Sequence, residues 1–306
     1  MKNTRTRLLA VAATAAAVAV ALVGCSSGNP LSTPSTPAAS GGGASNTIVV
    51  GSQSYPSNEI IAEVYAQALE AKGLKVTRKF DIGQRNAYMP AIKSGEVQLF
   101  PEYTGNLLQY FNPKATETDP QGVYNALKTA LPSSLTVLDM ATAADQDSYT
   151  VTKAFADKWH LKSIADLANV KVPLTLGGNA ELADRPYGPK GLKSTYGVTS
   201  GFKATGDTTE QALVAGTINI ADIYTSDPKI KTDKLVVLQD PKALILSSNI
   251  VPLVNKSVAG KVSTVIDAVQ AKLTPDVLVE WNVENTVDQQ SAAQIATKWL
   301  KDQGLD

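Results

Sequence analysis

Tyr103, Tyr149 and Tyr224 are the side chains in this sequence whose placement best suits chemistry with a ligand. A tyrosine ring presents a negative π face to a cation, worth roughly 0.5–2 kcal/mol per ring depending on desolvation. Two of the three close matching stretches. Ala91, Gly95, Tyr103 and Thr104 align without a gap on Ala212, Gly216, Tyr224 and Thr225, and aliphatic residues fill the run before each tyrosine. Each stretch reads as a helix end, a glycine stop, a short buried strand and a tyrosine on the loop past the strand's carboxyl end. In open α/β sheets ligands bind at that end. Half-buried tyrosines with hydroxyls reaching water are common; the convergence of three on one cleft is what points to a ligand.

Chemistry of other kinds finds little support. His160 is the single histidine, beside Trp159, with no triad or metal cluster around it. Gly51-Ser52-Gln53-Ser54 lacks the closing glycine of a nucleophile elbow, and neither a phosphate loop nor a dinucleotide fingerprint occurs. Glu102, next to Tyr103, reads as a cap or hydrogen-bond acceptor rather than an acid catalyst. The 28 basic and 28 acidic residues give a formal net charge of zero, without the basic stripe that nucleic-acid binding needs. The reading is of a binding protein, not an enzyme, with no metal or cofactor.

The elements that must position these residues follow from periodicity. Ile48–Val50 is a buried strand. A helix opens at Pro56 and Ser57, with Ile60, Ile61, Val64, Ala68 and Leu69 on one face and Gly73 as its stop. Val76–Phe80, a helix through Ala87–Ser94 and the strand Val97–Phe100 complete a β-α-β-α-β run, which implies a parallel sheet covered on both faces. Asp119-Pro120 starts a helix, Leu135–Met140 is a strand, and the pattern then restarts. The second unit has Ser163–Asp166 as a capping box, a strand at Lys171–Leu176, a capping box at Thr208–Gln211, and a strand at Leu235–Leu238. After Ile250–Val254 come three helices, Lys261–Leu273, Pro275–Glu284 and Ser291–Gln303. A helical tail of this kind packs back on the first unit, so the chain crosses between lobes twice, near Asp147–Thr152 and Ser248–Val254. Two crossings make a hinge.

The amino terminus reads as an export signal. Lys2, Arg5 and Arg7 precede the apolar run Leu8–Val23, whose 16 residues fall short of the roughly 20 a spanning helix needs. Leu22-Val23-Gly24-Cys25 matches a lipoprotein processing box, with Cys25, the only cysteine, as the lipid anchor. Cleavage removes three basic residues, leaving 25 against 28 acidic, a net charge of −3. The expected segments are 1–24 signal peptide, 25–46 flexible tether, 47–147 plus 253–306 first lobe, and 148–252 second lobe. The protein is thereby expected on the extracytoplasmic face of the cell membrane.

From Ile48 to Gln303 the chain resembles the substrate-binding lipoproteins of ABC importers for osmoprotectants, the glycine betaine, carnitine and choline type. The resemblance is carried by Ser94-Gly95-Glu96-Val97 leading to Pro101-Glu102-Tyr103-Thr104-Gly105, by Tyr224-Thr225-Ser226-Asp227 followed by Lys234–Leu238, and by Arg185 with Gly188, Gly191-Leu192 and Tyr196-Gly197. It implies a two-lobed α/β fold of the periplasmic-binding-protein (Venus-flytrap) kind, type II-like, with two crossing strands as hinge. It also implies a permease and its ATPase as partners, and a box of four tyrosines around a quaternary ammonium group. Tyr103, Tyr149 and Tyr224 match three of the four; the fourth position is Ser248, in Ser248-Asn249-Ile250-Val251-Pro252. Arg185 matches the position that meets a ligand carboxylate, with Gln53 and Asn106 as neighbouring hydrogen-bond donors. Loss of the fourth ring at Ser248 is expected to open space, with Tyr55 as a candidate substitute. Two ligand readings follow: a trimethylammonium compound bound more weakly, or a bulkier or aromatic solute. A cell-envelope sensor without transport is the reading from another class.

Overall fold

The structure is a computed structural model and describes residues 47–306; the signal peptide, Cys25 and the tether expected above lie outside the described residues. Ten strands form two five-stranded sheets. In chain order they are β1 (Thr47–Gly51), β2 (Lys75–Lys79), β3 (Leu99–Tyr103), β4 (Leu135–Val137), β5 (Asp147–Thr152), β6 (Thr175–Gly178), β7 (Gly201–Ala204), β8 (Ile220–Tyr224), β9 (Leu235–Val237) and β10 (Ile250–Asn255). The first sheet runs β2-β1-β3-β10-β4 and the second β7-β6-β8-β5-β9. The two orders are equivalent: three parallel strands, then an antiparallel strand delivered by the chain crossing from the other sheet. This is the two-lobed arrangement expected from the alternation of elements.

Each sheet is held by its own apolar layer. Helix Pro56–Ala71 buries Ile60, Ile61, Val64, Ala68 and Leu69 completely, the face that helical spacing indicated. The three carboxyl-terminal helices, Lys256–Gln270, Pro275–Thr286 and Ala292–Gln303, join the same core through Val262, Ile266, Leu278, Trp281 and Ile295. The tail does pack back on the first sheet. A separate core beneath the second sheet contains Tyr149, Leu176, Leu192 and Ile220.

Three local expectations are corrected. Tyr103 is the last residue of β3 rather than part of a loop, and helix Thr104–Phe111 follows it at once. The strand expected at Lys171–Leu176 begins only at Thr175, because Pro173 has no N–H to give a ladder and the Asn219 side chain ties down the segment instead. No capping box forms at Thr208, whose hydroxyl donates to the Thr205 carbonyl at 2.7 Å.

Glu102 is a structural acceptor. Fully buried on β3, it receives Arg85 Nε and Nη2 at 2.9 and 2.8 Å, the Tyr88 hydroxyl and the Tyr103 backbone N–H. A buried ion pair needs such extra hydrogen bonds to offset its desolvation. The result is a fixed end for the strand that carries Tyr103.

Candidate functional site

The repeat seen in the sequence is a repeat in space. Gly95 and Gly216 both adopt positive φ, 81° and 71°, and close their helices through the carbonyls of Ile92 and Leu213 at 3.1 and 3.0 Å. Glycine enters this region without steric cost. From there β3 and β8 run as the central strands of their sheets and end on Tyr103 and Tyr224. Tyr103 lies opposite Ile250, the first residue of β10, and Tyr224 opposite Asp147, the first residue of β5. Both tyrosines therefore sit where the chain crosses between sheets.

The crossing segments pair with each other. Ala144 and Asn249 form an antiparallel bridge, flanked by Asp145 N to Ser248 O at 3.2 Å and Ile250 N to Ala143 O at 3.0 Å. Tyr55, just before helix Pro56–Ala71, reaches over this crossing. Its ring centroid is 6.4 Å from that of Tyr103 and 5.2 Å from that of Tyr224, with planes inclined by 27° and 25°. A cavity of about 410 Å³ opens beside the stack, lined by Tyr55, Ser57 and Asn282 on one side, Asp222 and Tyr224 on the other, and Asp145 at the crossing.

Carboxylates dominate the electrostatics. Asp145 accepts from Ser57 Oγ at 3.1 Å and from Ser226 N at 3.2 Å, and burial pushes its pKa up to about 6. Burial also pushes the Asp222 carboxyl well above the usual carboxylate range, helped by the charge of Asp147. Asp147 accepts from Asn106 Nδ2 at 2.5 Å and from the Tyr187 hydroxyl at 3.1 Å, with Arg185 Nη1 3.8 Å away.

The structure divides the residues expected at the site. Tyr224 lines the cavity, and Tyr103 stacks behind it through Tyr55. Tyr149 is buried in the core of the second sheet, its hydroxyl donating to the Tyr187 carbonyl, and does not meet the other rings. It lies one pleat beyond Asp147, which takes the place nearest the crossing. Arg185 and Asn106 line a second recess of about 220 Å³ with Tyr187. The Arg185 donors there are engaged by Tyr187 Oη, Glu181 Oε2 and Gln84 Oε1. Gln53 is buried and donates from Nε2 to Tyr55 Oη at 3.3 Å, holding that ring from behind.

Ser248 lines no open space, contrary to expectation. It is fully buried, donating to Asn106 Oδ1 at 3.3 Å. A Cβ added at Gly105 would come within 2.6 Å of Ser247 O and 2.8 Å of Ser248 Oγ, so helix Thr104–Phe111 presses directly on this segment. The residues that sequence reasoning missed are Asp145, Asp222, Tyr187 and Asn282. Asp222 had a signal, as the one charged residue in the apolar strand Ile220–Tyr224. Asn282, on a helix far along the chain, had none.

Comparison with known proteins bears on the whole described region. A family model described as the substrate binding domain of ABC-type glycine betaine transport systems matches residues 46–302. The glycine betaine-binding protein YehZ of Escherichia coli is 27% identical over 280 residues, covering 85% of this chain and 92% of that protein. The ergothioneine transport permease/ergothioneine binding protein EgtU of Helicobacter pylori is 24% identical over 264 residues, 82% of this chain and 47% of that protein. A crystal structure of a glycine betaine/carnitine/choline ABC transporter protein superposes with a TM-score of 0.68 at 22% identity, covering 84% of this chain and 99% of that one; it establishes the fold.

Two predictions follow from the geometry. Ser248→Tyr forces a ring into a packed segment and is expected to cost about 1–3 kcal/mol in urea unfolding without tightening trimethylammonium binding. A variant as stable as wild type that binds more tightly would show room at that position. The second concerns pH. A carboxyl raised from 3.8 to about 6 binds its proton more tightly in the folded state, so its ionised form destabilises the fold above pH 6. That penalty is relieved as pH falls toward 4. The stability of Asp145→Asn relative to wild type is therefore expected to be about 2 kcal/mol more favourable at pH 8 than at pH 4. A difference that does not change with pH would contradict it.

Proposed function

The chain belongs to the family of substrate-binding domains of ABC-type glycine betaine transport systems, and we propose that it captures a quaternary ammonium solute of the glycine betaine, choline and carnitine class in the cleft between its two sheets. The observation that carries this reading is the pair of rings at the cavity wall, Tyr55 and Tyr224, 5.2 Å apart between centroids, with Asp145 and Asp222 beside them. An ammonium group gains roughly 0.5–2 kcal/mol for each ring whose open face it meets. In this reading Tyr55 takes the part of the absent fourth tyrosine, and Tyr103 supports it from behind.

Binding proceeds by closure, without a chemical step. The two lobes turn about the paired segments at Ala144 and Asn249, and contacts such as Asn86 N to Glu181 Oε1 and Arg185 Nη2 to Gln84 Oε1, 3.0 and 3.3 Å, hold them together. The closed form is the one presented to the permease, which works with its ATPase. Cys25 carries the lipid that keeps the protein at the extracytoplasmic face of the membrane, at the head of the tether 25–46. A bulkier solute is the second reading. It is favoured by the cavity of about 410 Å³ and by the similarity to a protein named for ergothioneine.

Calorimetry with choline, glycine betaine, carnitine and ergothioneine distinguishes these readings. Choline, glycine betaine or carnitine is expected to saturate the protein at lower concentration than ergothioneine, a bulkier trimethylammonium zwitterion. Tyr55→Ala and Tyr224→Ala are each expected to weaken that binding tenfold or more, about 1.4 kcal/mol. Wild-type affinity in both variants would remove the cleft from consideration.

A further inference from the structure

The charge carried by the cleft wall narrows the solute beyond its ammonium group. Five acidic residues line the larger cavity, Asp145, Asp207, Glu210, Asp222 and Asp227, against a single basic one, Lys229. That cation is already engaged, its Nζ 3.1 Å from Glu210 Oε2. Arg185, the guanidinium expected to receive a ligand carboxylate, lines the other recess, and Glu181, Gln84 and Tyr187 occupy its donors. A zwitterion entering the larger cavity would bring its carboxylate against like charges, with no free cation to meet it. Repulsion of this kind between poorly solvated charges is a strong discriminator.

The same wall offers an unused acceptor. Asp222 Oδ1 is buried and receives no donor, since its carboxyl lies against that of Asp147, whose Oδ1 is likewise without one, and the residue borders the cavity. A buried acceptor without a donor is costly, and a ligand that supplies the donor recovers that cost. Asp145, across the cavity from it at the crossing, receives hydrogen bonds from both sides, through Ser57 Oγ and Ser226 N. Among the described residues no group of three or more His, Cys, Asp or Glu is arranged to hold a metal ion. The rings of Tyr55 and Tyr224 border the same cavity as these acids.

We propose that the cleft selects a quaternary ammonium alcohol, a net cation with a hydroxyl donor and no carboxylate, and that Asp145 and Asp222 determine this specificity. The proposal rests on the reading of the cleft as the ammonium site and adds to it the exclusion of zwitterions. Asp222 accepts the hydroxyl hydrogen, and Asp145 supplies the compensating charge beside the ammonium group.

The test is calorimetric titration of the purified protein with choline and with glycine betaine at one ionic strength. Choline is expected to bind at least tenfold more tightly. Asp145→Asn and Asp222→Ala, which removes the acceptor, are each expected to weaken choline tenfold or more and to narrow its preference over glycine betaine. Tetramethylammonium, which lacks the hydroxyl, is expected to be insensitive to Asp222→Ala and weakened by Asp145→Asn. Glycine betaine binding as tightly as choline, or more so, would overturn the proposal while leaving the ammonium site standing. Failure of both compounds to bind would overturn the site and the proposal together. Should either variant fail to fold, the wild-type ratio of the two affinities still decides.

Discussion

Everything at the cleft depends on two strands of chain paired where they cross. Ala144 and Asn249 bridge antiparallel, and the neighbouring backbone bonds leave Asp145 and Ser248 on the segments that join the two sheets. Because each sheet takes its fourth strand from the crossing chain, the carboxyl ends of β3 and β8 are forced to face one another. Tyr103 and Tyr224 end those strands, so they meet at the crossing by topology and not by local preference. Asp145 couples the halves further by taking one hydrogen bond from each, from Ser57 in the first and Ser226 in the second.

Burial then decides what this junction can hold. Asp145 and Asp222 are kept in a site where the ionised form is disfavoured, which is tolerable if a cation arrives to compensate it. The aromatic stack of Tyr55 on Tyr224 gives that cation a face to lie on, and Gln53 holds the Tyr55 hydroxyl so that the ring is fixed in advance. A pre-fixed ring loses little conformational freedom on binding. The arrangement has the features of a receptor that binds by closing over its solute.

Much of this was legible in the sequence, for definite reasons. The fifteen-residue repeat around Tyr103 and Tyr224 encodes a helix stop, a strand and a ring, and each part is local, so pattern alone revealed it. The return of the last three helices to the first sheet followed from their position, a helical tail after two α/β units. Contacts between distant segments were not legible. Tyr149 was placed with the other rings because its strand leads from the crossing, yet a shift of one pleat puts it in the core and brings Asp147 to the edge. Ser248 looked like missing volume, whereas Gly105 lets helix Thr104–Phe111 close on it. Arg185 found partners in the smaller recess that no motif indicates. Tyr55, the candidate substitute for the fourth ring, stands as the extended N-cap residue of helix Pro56–Ala71.

A crystal structure of the protein grown with choline locates the ammonium group. Its nitrogen is expected within about 6 Å of the ring centroids of Tyr55 and Tyr224, with the hydroxyl toward Asp222. A nitrogen found in the recess beside Arg185 and Asn106, away from both rings, would contradict this placement.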